Sequence, residues 1–137
     1  ISNTLIPTST ELGFLPRTLI KLNLSYCVKL TEKIMRLIPP NLNVLKVNGC
    51  KQITDRSITH LPRSIQKLHL CFCSLTDNFA KNLPSELIEL SLASLTLTDK
   101  TIENLPKTLK KLILLTCKSI SEEAINRLIH THVFKYN

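Results

Sequence analysis

The residues of this sequence that could act in catalysis or bind a metal are four histidines and five cysteines. None of the histidines has a carboxylate or a second ligand at a spacing typical of metal sites. The sequence also lacks a phosphate-binding loop, a Gly-x-Ser-x-Gly elbow and a nucleophile beside a base. We therefore expect no metal, no cofactor and no catalytic residue, and we interpret the protein as a non-enzyme. The histidines are His60, His69, His130 and His132.

Four of the cysteines recur every 22 or 23 residues, at Cys27, Cys50, Cys73 and Cys117. Leu95 stands in the same series, which indicates that the position requires a compact apolar group rather than a thiol. The odd total leaves at least one thiol unpaired under any intramolecular pairing. The pattern predicts buried, reduced cysteines and a reducing, cytoplasmic compartment.

A repeat of the same period predicts the elements that hold these residues. Apolar residues alternate with variable ones around a leucine that recurs five times, which is typical of a strand buried on one face. A Thr or Ser followed by an acidic residue then predicts the start of a short helix. Proline predicts its end in four of the five copies. The recurring leucines are Leu22, Leu45, Leu68, Leu90 and Leu112, and the predicted N-caps are Thr31, Thr54, Thr76, Thr98 and Ser121.

The repeats predict one domain over residues 1–137. Residues 1–14 resemble a damaged repeat with a helix over about 9–14 capped by Thr8, and form an N-terminal cap or partial repeat. Five repeats occupy residues 15–128, and residues 129–137 form a C-terminal cap. In that cap, Val133, Phe134 and Tyr136 form either a short edge strand or an apolar lid. Because one such repeat buries too little surface to fold alone, the units must stack into a solenoid.

Over residues 8–130 these columns resemble leucine-rich repeats, of the superfamily that includes ribonuclease inhibitor. Residues 50–58 resemble the cysteine-containing class found in F-box substrate receptors, although the period here is shorter than is usual there. Residues 61–70 and 105–114 resemble the repeats of bacterial effectors delivered into host cells. The resemblance implies an α/β solenoid, with a curved parallel sheet on the concave face and short helices on the convex face.

The same resemblance implies a protein–protein interaction module. One form is a bacterial effector or regulator inside a host cell that occludes or inhibits a partner enzyme. The alternative is the substrate-recognition module of a ubiquitin-ligase assembly. An F-box or ligase domain in flanking sequence would favour the alternative, whereas a pocket holding a His or Cys beside a carboxylate would favour an enzyme.

The net charge of +8 is scattered over every repeat, and aromatic residues are too few to stack bases along a basic groove. We therefore expect no nucleic-acid partner, and the absence of a long apolar stretch predicts no membrane span. Instead, we expect a protein partner with an acidic contact surface and a protein that is monomeric alone. The residues predicted to bind it lie between the core leucines: Lys21, Asn23, Tyr26, Lys46, Asn48, Lys67, His69, Phe72, Ser91, Lys111, Ile113 and Leu115.

Overall fold

The computed structural model describes residues 9–137 and consists of short strands that alternate with short helices. The predicted Thr8 cap and the rest of residues 1–8 lie outside the described residues. The first helix falls where the sequence predicts it. In chain order the elements are α1 (Ser9–Gly13), β1 (Lys21–Asn23), α2 (Glu32–Met35), β2 (Val44–Lys46), α3 (Asp55–Ile58), β3 (Lys67–His69), the 3₁₀ helix η1 (Asp77–Asn82), β4 (Glu89–Ala93), α4 (Asp99–Glu103), β5 (Lys111–Leu115), α5 (Glu122–Asn126) and β6 (His132–Tyr136).

The strands form one parallel sheet in the order β1-β2-β3-β4-β5-β6. Each repeat adds the next strand, and the recurring leucines pair with one another across the sheet. The last strand continues this register, because Leu112 pairs with Val133. The C-terminal segment is thus an edge strand, the first of the two predicted forms. This α/β architecture is compatible with a solenoid.

The core lies between the sheet and the helices. The inward residues of β1–β5 are buried, and so are the helix residues that pack against them, such as Met35 and Ile58. The inward position of β6 holds a charge instead: Lys135 pairs in register with the buried Leu114. Its Nζ donates to the Ile120 carbonyl at 3.1 Å and contacts a Glu122 carboxylate oxygen at 3.1 Å. A charge on the inward side of an edge strand disfavours continuation of the sheet.

The prediction that Leu95 fills the cysteine column is wrong, because its side chain is 65% exposed. In the other repeats the residue before the column cysteine has a positive φ, at Tyr26, Gly49, Phe72 and Thr116. This left-handed residue lies after the strand and directly before the column cysteine, which is buried or partly buried. Ser94, at the equivalent position, has no positive φ, and Leu95 therefore remains in solvent.

The predicted N-caps are confirmed in three repeats. The hydroxyls of Thr76, Thr98 and Ser121 accept hydrogen bonds from backbone N–H groups in the first turn of the following helix. Thr31 makes no such bond. At the α3 start, Thr54 and Ser57 form a capping box, in which the Thr54 backbone N–H donates to Ser57 Oγ at 3.1 Å.

The aspartates that follow three of the caps join adjacent repeats, because each accepts hydrogen bonds from the cap residue of the next repeat. Asp77 accepts hydrogen bonds from the Thr98 backbone N–H at 2.8 Å and from the Thr98 hydroxyl at 2.6 Å. Asp99 accepts the same pair from Ser121, both at 2.7 Å. Asp55 accepts equivalent bonds from Thr76. This row of carboxylates holds consecutive helix starts in register, and hence also the strands opposite them.

Candidate partner-binding face

The candidate site is the surface of the sheet opposite the core, which we call the sheet face. Because strand side chains alternate, the residues between the buried leucines point to it. The parallel register aligns them in three rows that cross the strands. The first row is Lys21, Val44, Lys67, Glu89, Lys111 and His132. The second is Asn23, Lys46, His69, Ser91, Ile113 and Phe134. The third continues from the strand ends as Asn48, Cys71, Ala93, Leu115 and Tyr136.

The structure brings the predicted lysines together in the first two rows. Lys21, Lys46 and Lys67 are exposed, and Lys111 is partly exposed. Glu89 lies between two of them, with its carboxylate oxygens 3.7 Å from the Nζ atoms of Lys67 and Lys111. One carboxylate thus faces several amines, and this part of the face is net positive.

His69 is half-buried at the centre of this basic region. Burial lowers the pKa of its imidazole, Lys46, Lys111 and Lys67 lower it further, and Glu89 opposes them. The imidazole is therefore mostly neutral at pH 7, and it presents a hydrogen-bonding group rather than a charge on the sheet face.

Two predicted aromatic anchors protrude beside the face. Tyr26 is 73% exposed and Phe72 is 54% exposed, and both have the left-handed φ described above, at 64° and 60°. Such a backbone costs a bulky residue about 1–2 kcal/mol relative to the right-handed region. The Tyr26 ring lies against Gly49, where an added Cβ would be only 2.5 Å from Tyr26 Cδ1. Glycine at this position therefore makes room for the ring.

The two predicted asparagines are engaged within the protein. Asn23 Oδ1 accepts from the Ser25 backbone N–H at 3.0 Å, and Asn48 Oδ1 accepts from the Cys71 backbone N–H at 2.9 Å. Their amide oxygens therefore stabilise the backbone beyond the strand ends.

Ser91 is less exposed than its predicted position on the solvent-facing side of the sheet indicates. It lies on the sheet face, but only 4% of it is exposed, because its register neighbours His69 and Ile113 have larger side chains. Among the described residues its hydroxyl has no hydrogen-bond partner. An unpaired buried hydroxyl costs about 1–3 kcal/mol. Ala93 and Cys71 are buried on the same face, and Cys71 is thus also less accessible than its variable sequence position indicates.

The apolar end of the face is larger than the sequence predicts. Ile113 and Leu115 are partly exposed as expected. The edge strand adds Phe134 and Tyr136, which are 44% and 56% exposed, and the Lys111 Nζ lies 5.7 Å from the centroid of the Phe134 ring.

A hydroxyl before the strand could have identified β6 as a further repeat. Thr131 Oγ1 donates to the Leu109 carbonyl at 2.8 Å, just as Thr108 Oγ1 donates to the Leu87 carbonyl at 2.8 Å. The two threonines are 23 residues apart, which is the period of the chain. This spacing places Phe134 and Tyr136 on the sheet face.

The cysteines are free, as predicted. Three column cysteines are buried and Cys73 is partly buried. The thiols of Cys50 and Cys73 donate to carbonyls of the preceding repeat, Leu24 and Val47, both at 3.2 Å. Burial raises the pKa of Cys50 to about 11 and that of Cys73 to about 12. These thiols are protonated near neutral pH, which makes them poor nucleophiles.

On the helix side, the fold brings a carboxylate of the preceding repeat to His60. His60 Nε2 lies 3.0 Å from Glu32 Oε1, and Arg36 and Arg56 contact the same oxygen at 3.0 and 3.3 Å. Hydrogen bonds from His60 and Arg36 lower the pKa of the Glu32 carboxyl. This cluster links α2 with the end of α3.

Within residues 9–137 no group of three His, Cys, Asp or Glu side chains is arranged to hold a metal ion, and no helix is long and apolar enough to cross a membrane.

A scan of the sequence against protein-family models finds no match, and a search of curated proteins finds no significant match.

Proposed function

We propose that the protein is a leucine-rich-repeat module that binds a partner protein through the sheet face. The observation that carries the proposal is the juxtaposition on this face of lysines with exposed aromatic and aliphatic side chains. Exposed aromatic residues are enriched at the energetic centres of protein interfaces, and exposed lysines steer an acidic partner into encounter. The face is presented by a hydrogen-bonded sheet, so little conformational entropy is lost on binding.

The proposed mechanism is occlusion or scaffolding rather than catalysis. The raised thiol pKa values of Cys50 and Cys73 support this, because protonated thiols are poor nucleophiles. A bacterial effector or regulator that covers a partner enzyme inside a host cell is one concrete form. The ubiquitin-ligase alternative places the adaptor or ligase domain in flanking sequence, and an F-box there would favour it.

The test separates charge from anchoring by binding kinetics, using a partner captured by the wild-type protein. Lys46→Glu combined with Lys67→Glu should mainly slow association and reduce its salt dependence, because exposed charges act at long range. The charge-matched control is Lys100→Glu with Lys107→Glu, two exposed lysines outside the sheet face.

A second pair of variants tests the anchors. Phe72→Asn should mainly speed dissociation, because a buried anchor stabilises the formed complex, and asparagine tolerates the left-handed backbone at this position. The control is Ile129→Asn, which removes an equally apolar side chain that is exposed beyond α5. Loss of binding in both controls, with the two sheet-face variants unaffected, would refute the proposed site.

A further inference from the structure

The His69 side chain lies on the sheet face among charged side chains from four strands. Lys46 on β2 is its register partner, so the two Cα atoms are about 4.8 Å apart and both side chains point to the same face. Lys67 precedes it on β3, Glu89 lies on β4 and Lys111 lies on β5. All four charges act on the imidazole. Three amines and one carboxylate thus surround this ring.

The His69 ring is half-buried, yet within the part of the chain that the structure describes it forms no hydrogen bond. Its neighbour on the same face of β3 is Cys71, a buried thiol whose pKa burial raises to about 11, so it carries no charge at neutral pH. Its register partner on β4 is Ser91, whose hydroxyl is also unpaired among the described residues. A protonated His69 therefore has no hydrogen-bond acceptor in the free protein.

The amines around His69 differ in how far they are already neutralised. The Glu89 carboxylate oxygens lie 3.7 Å from the Nζ atoms of both Lys67 and Lys111. Lys46 is exposed and forms no ion pair with any described residue. An uncompensated ammonium thus lies next to an imidazole without a hydrogen-bond partner. A carboxylate bound between these two groups would accept a hydrogen bond from each.

Such a carboxylate would reverse the electrostatic preference at His69. In the free protein, burial and the three amines lower the pKa of the imidazole. An anion within hydrogen-bonding distance favours the imidazolium instead, because the charged ring donates from both nitrogens. The complex would then hold a proton that the free protein does not, and linkage requires that binding strengthens as the pH falls through this range.

We infer that the partner places a side-chain carboxylate between Lys46 and His69, and that its binding is coupled to the uptake of one proton from solvent by His69. The inference rests on the proposed function, because it specifies how the same face recognises an acidic partner. The described rows of the sheet face contain no arginine. Since arginine is the residue that recognises phosphate bidentately, this composition favours a carboxylate over the phosphate of a nucleic acid.

The first experiment measures the proton directly, with an octaglutamate peptide as the probe. The full chain is labelled with ¹³C at histidine Cε1, and each imidazole is titrated by NMR with and without saturating peptide. The pKa of His69 should rise when the peptide binds, whereas the titration of His130, an exposed histidine outside the sheet face, should not respond. Lys46→Gln should abolish the rise at His69. No binding of the peptide, or a His69 pKa that it leaves unchanged or lowers, would overturn the inference.

The second experiment measures affinity by fluorescence anisotropy of the labelled peptide at constant ionic strength. Binding should be roughly 3- to 6-fold tighter at pH 6.0 than at pH 7.5, a range in which the glutamates of the peptide stay mostly ionised. His69→Gln should remove most of this difference. The matched control His130→Gln also removes one imidazole and should keep it. The same pH dependence in all three proteins would overturn the coupling to His69.

Two further outcomes limit the inference without ambiguity. Equal affinity and equal proton uptake with an octathymidine oligonucleotide would overturn the carboxylate as the recognised group. A captured partner protein that binds independently of pH, but dissociates faster from Phe72→Asn, would overturn the proton coupling and leave the proposed function intact.

Discussion

Replacement of Asp77 by alanine tests the carboxylate row that holds the repeats in register. The Asp77 carboxylate accepts hydrogen bonds from the Thr98 backbone N–H and hydroxyl, and a third from the Thr101 hydroxyl at 2.6 Å. Thr101 is completely buried. The substitution therefore removes three hydrogen bonds and leaves one buried hydroxyl without its acceptor.

The magnitude follows from these contacts. The stranded Thr101 hydroxyl should cost roughly 1–3 kcal/mol, and each of the two partly buried bonds from Thr98 about 0.5–1.5 kcal/mol. We expect Asp77→Ala to lower the free energy of unfolding by about 3 kcal/mol. The matched control is Asp99→Ala, which loses only the two exposed bonds from Ser121 and should have a smaller effect.

Urea unfolding followed by far-ultraviolet circular dichroism measures both variants, with the m-value as a check that the unfolded states are comparable. The pH dependence is a second check. Partial burial raises the pKa of the Asp77 carboxyl, but the bonds from Thr101 and Thr98 lower it more, so the net pKa is below its ordinary value of 3.8. The stabilisation should therefore be complete above about pH 4 and disappear as the pH falls through the folded-state pKa. A loss for Asp77→Ala no larger than that for Asp99→Ala would refute this reasoning.

Three further predictions follow from the same structure. Gly49→Ala should destabilise the protein by about 1–2 kcal/mol because of the positive φ of this residue and its contact with Tyr26. In a double-mutant cycle, adding Tyr26→Ala should restore part of the lost stability, and additive losses would contradict the contact. The pKa of His69 is lowered from 6.5 in the folded protein, so the unfolded chain binds this proton first as the pH falls below about 6.5. The wild-type protein should therefore lose stability between pH 7 and 5, and His69→Gln should lose less. Equal losses in the two proteins would argue against a buried neutral imidazole. The five thiols should react slowly with an aromatic disulfide reagent in the native protein and completely in denaturant without reductant, and a count below five would indicate a disulfide.

Much of the fold can be predicted from the sequence because equivalent positions of the five repeats have similar surroundings, and so show the same residue pattern several times. The recurring leucine predicts the inward face of each strand, and five copies in register predict that the strands are neighbours. The alternation around Leu68 or Leu112 also identifies which side chains leave the core, so the lysines of the sheet face were found without the structure. These are properties of local geometry, since side chains in a strand alternate with a period of two.

Positions that depart from the repeat could not be predicted in this way. Leu95 occupies the cysteine position in sequence, yet it is exposed because Ser94 lacks the left-handed turn. Ser91 occupies an outward position, yet it is buried because its neighbours on the adjacent strands happen to be larger. The exposure of Leu95 depends on the backbone angle of the preceding residue, and the burial of Ser91 depends on residues about 22 positions away in the sequence. The type of residue at either position predicts neither effect.

The sequence alone determined the period, the parallel α/β class, the free cysteines and the placement of the lysines on one face. Only the tertiary structure decided that β6 extends that face with Phe134 and Tyr136 and that Asp77 joins its repeat to the next. It also decided that the hydroxyl of Ser91 is buried with no hydrogen-bond partner among the described residues. The physical reason is that periodicity determines the direction in which a side chain points, whereas the packing of adjacent repeats determines its contacts and its exposure.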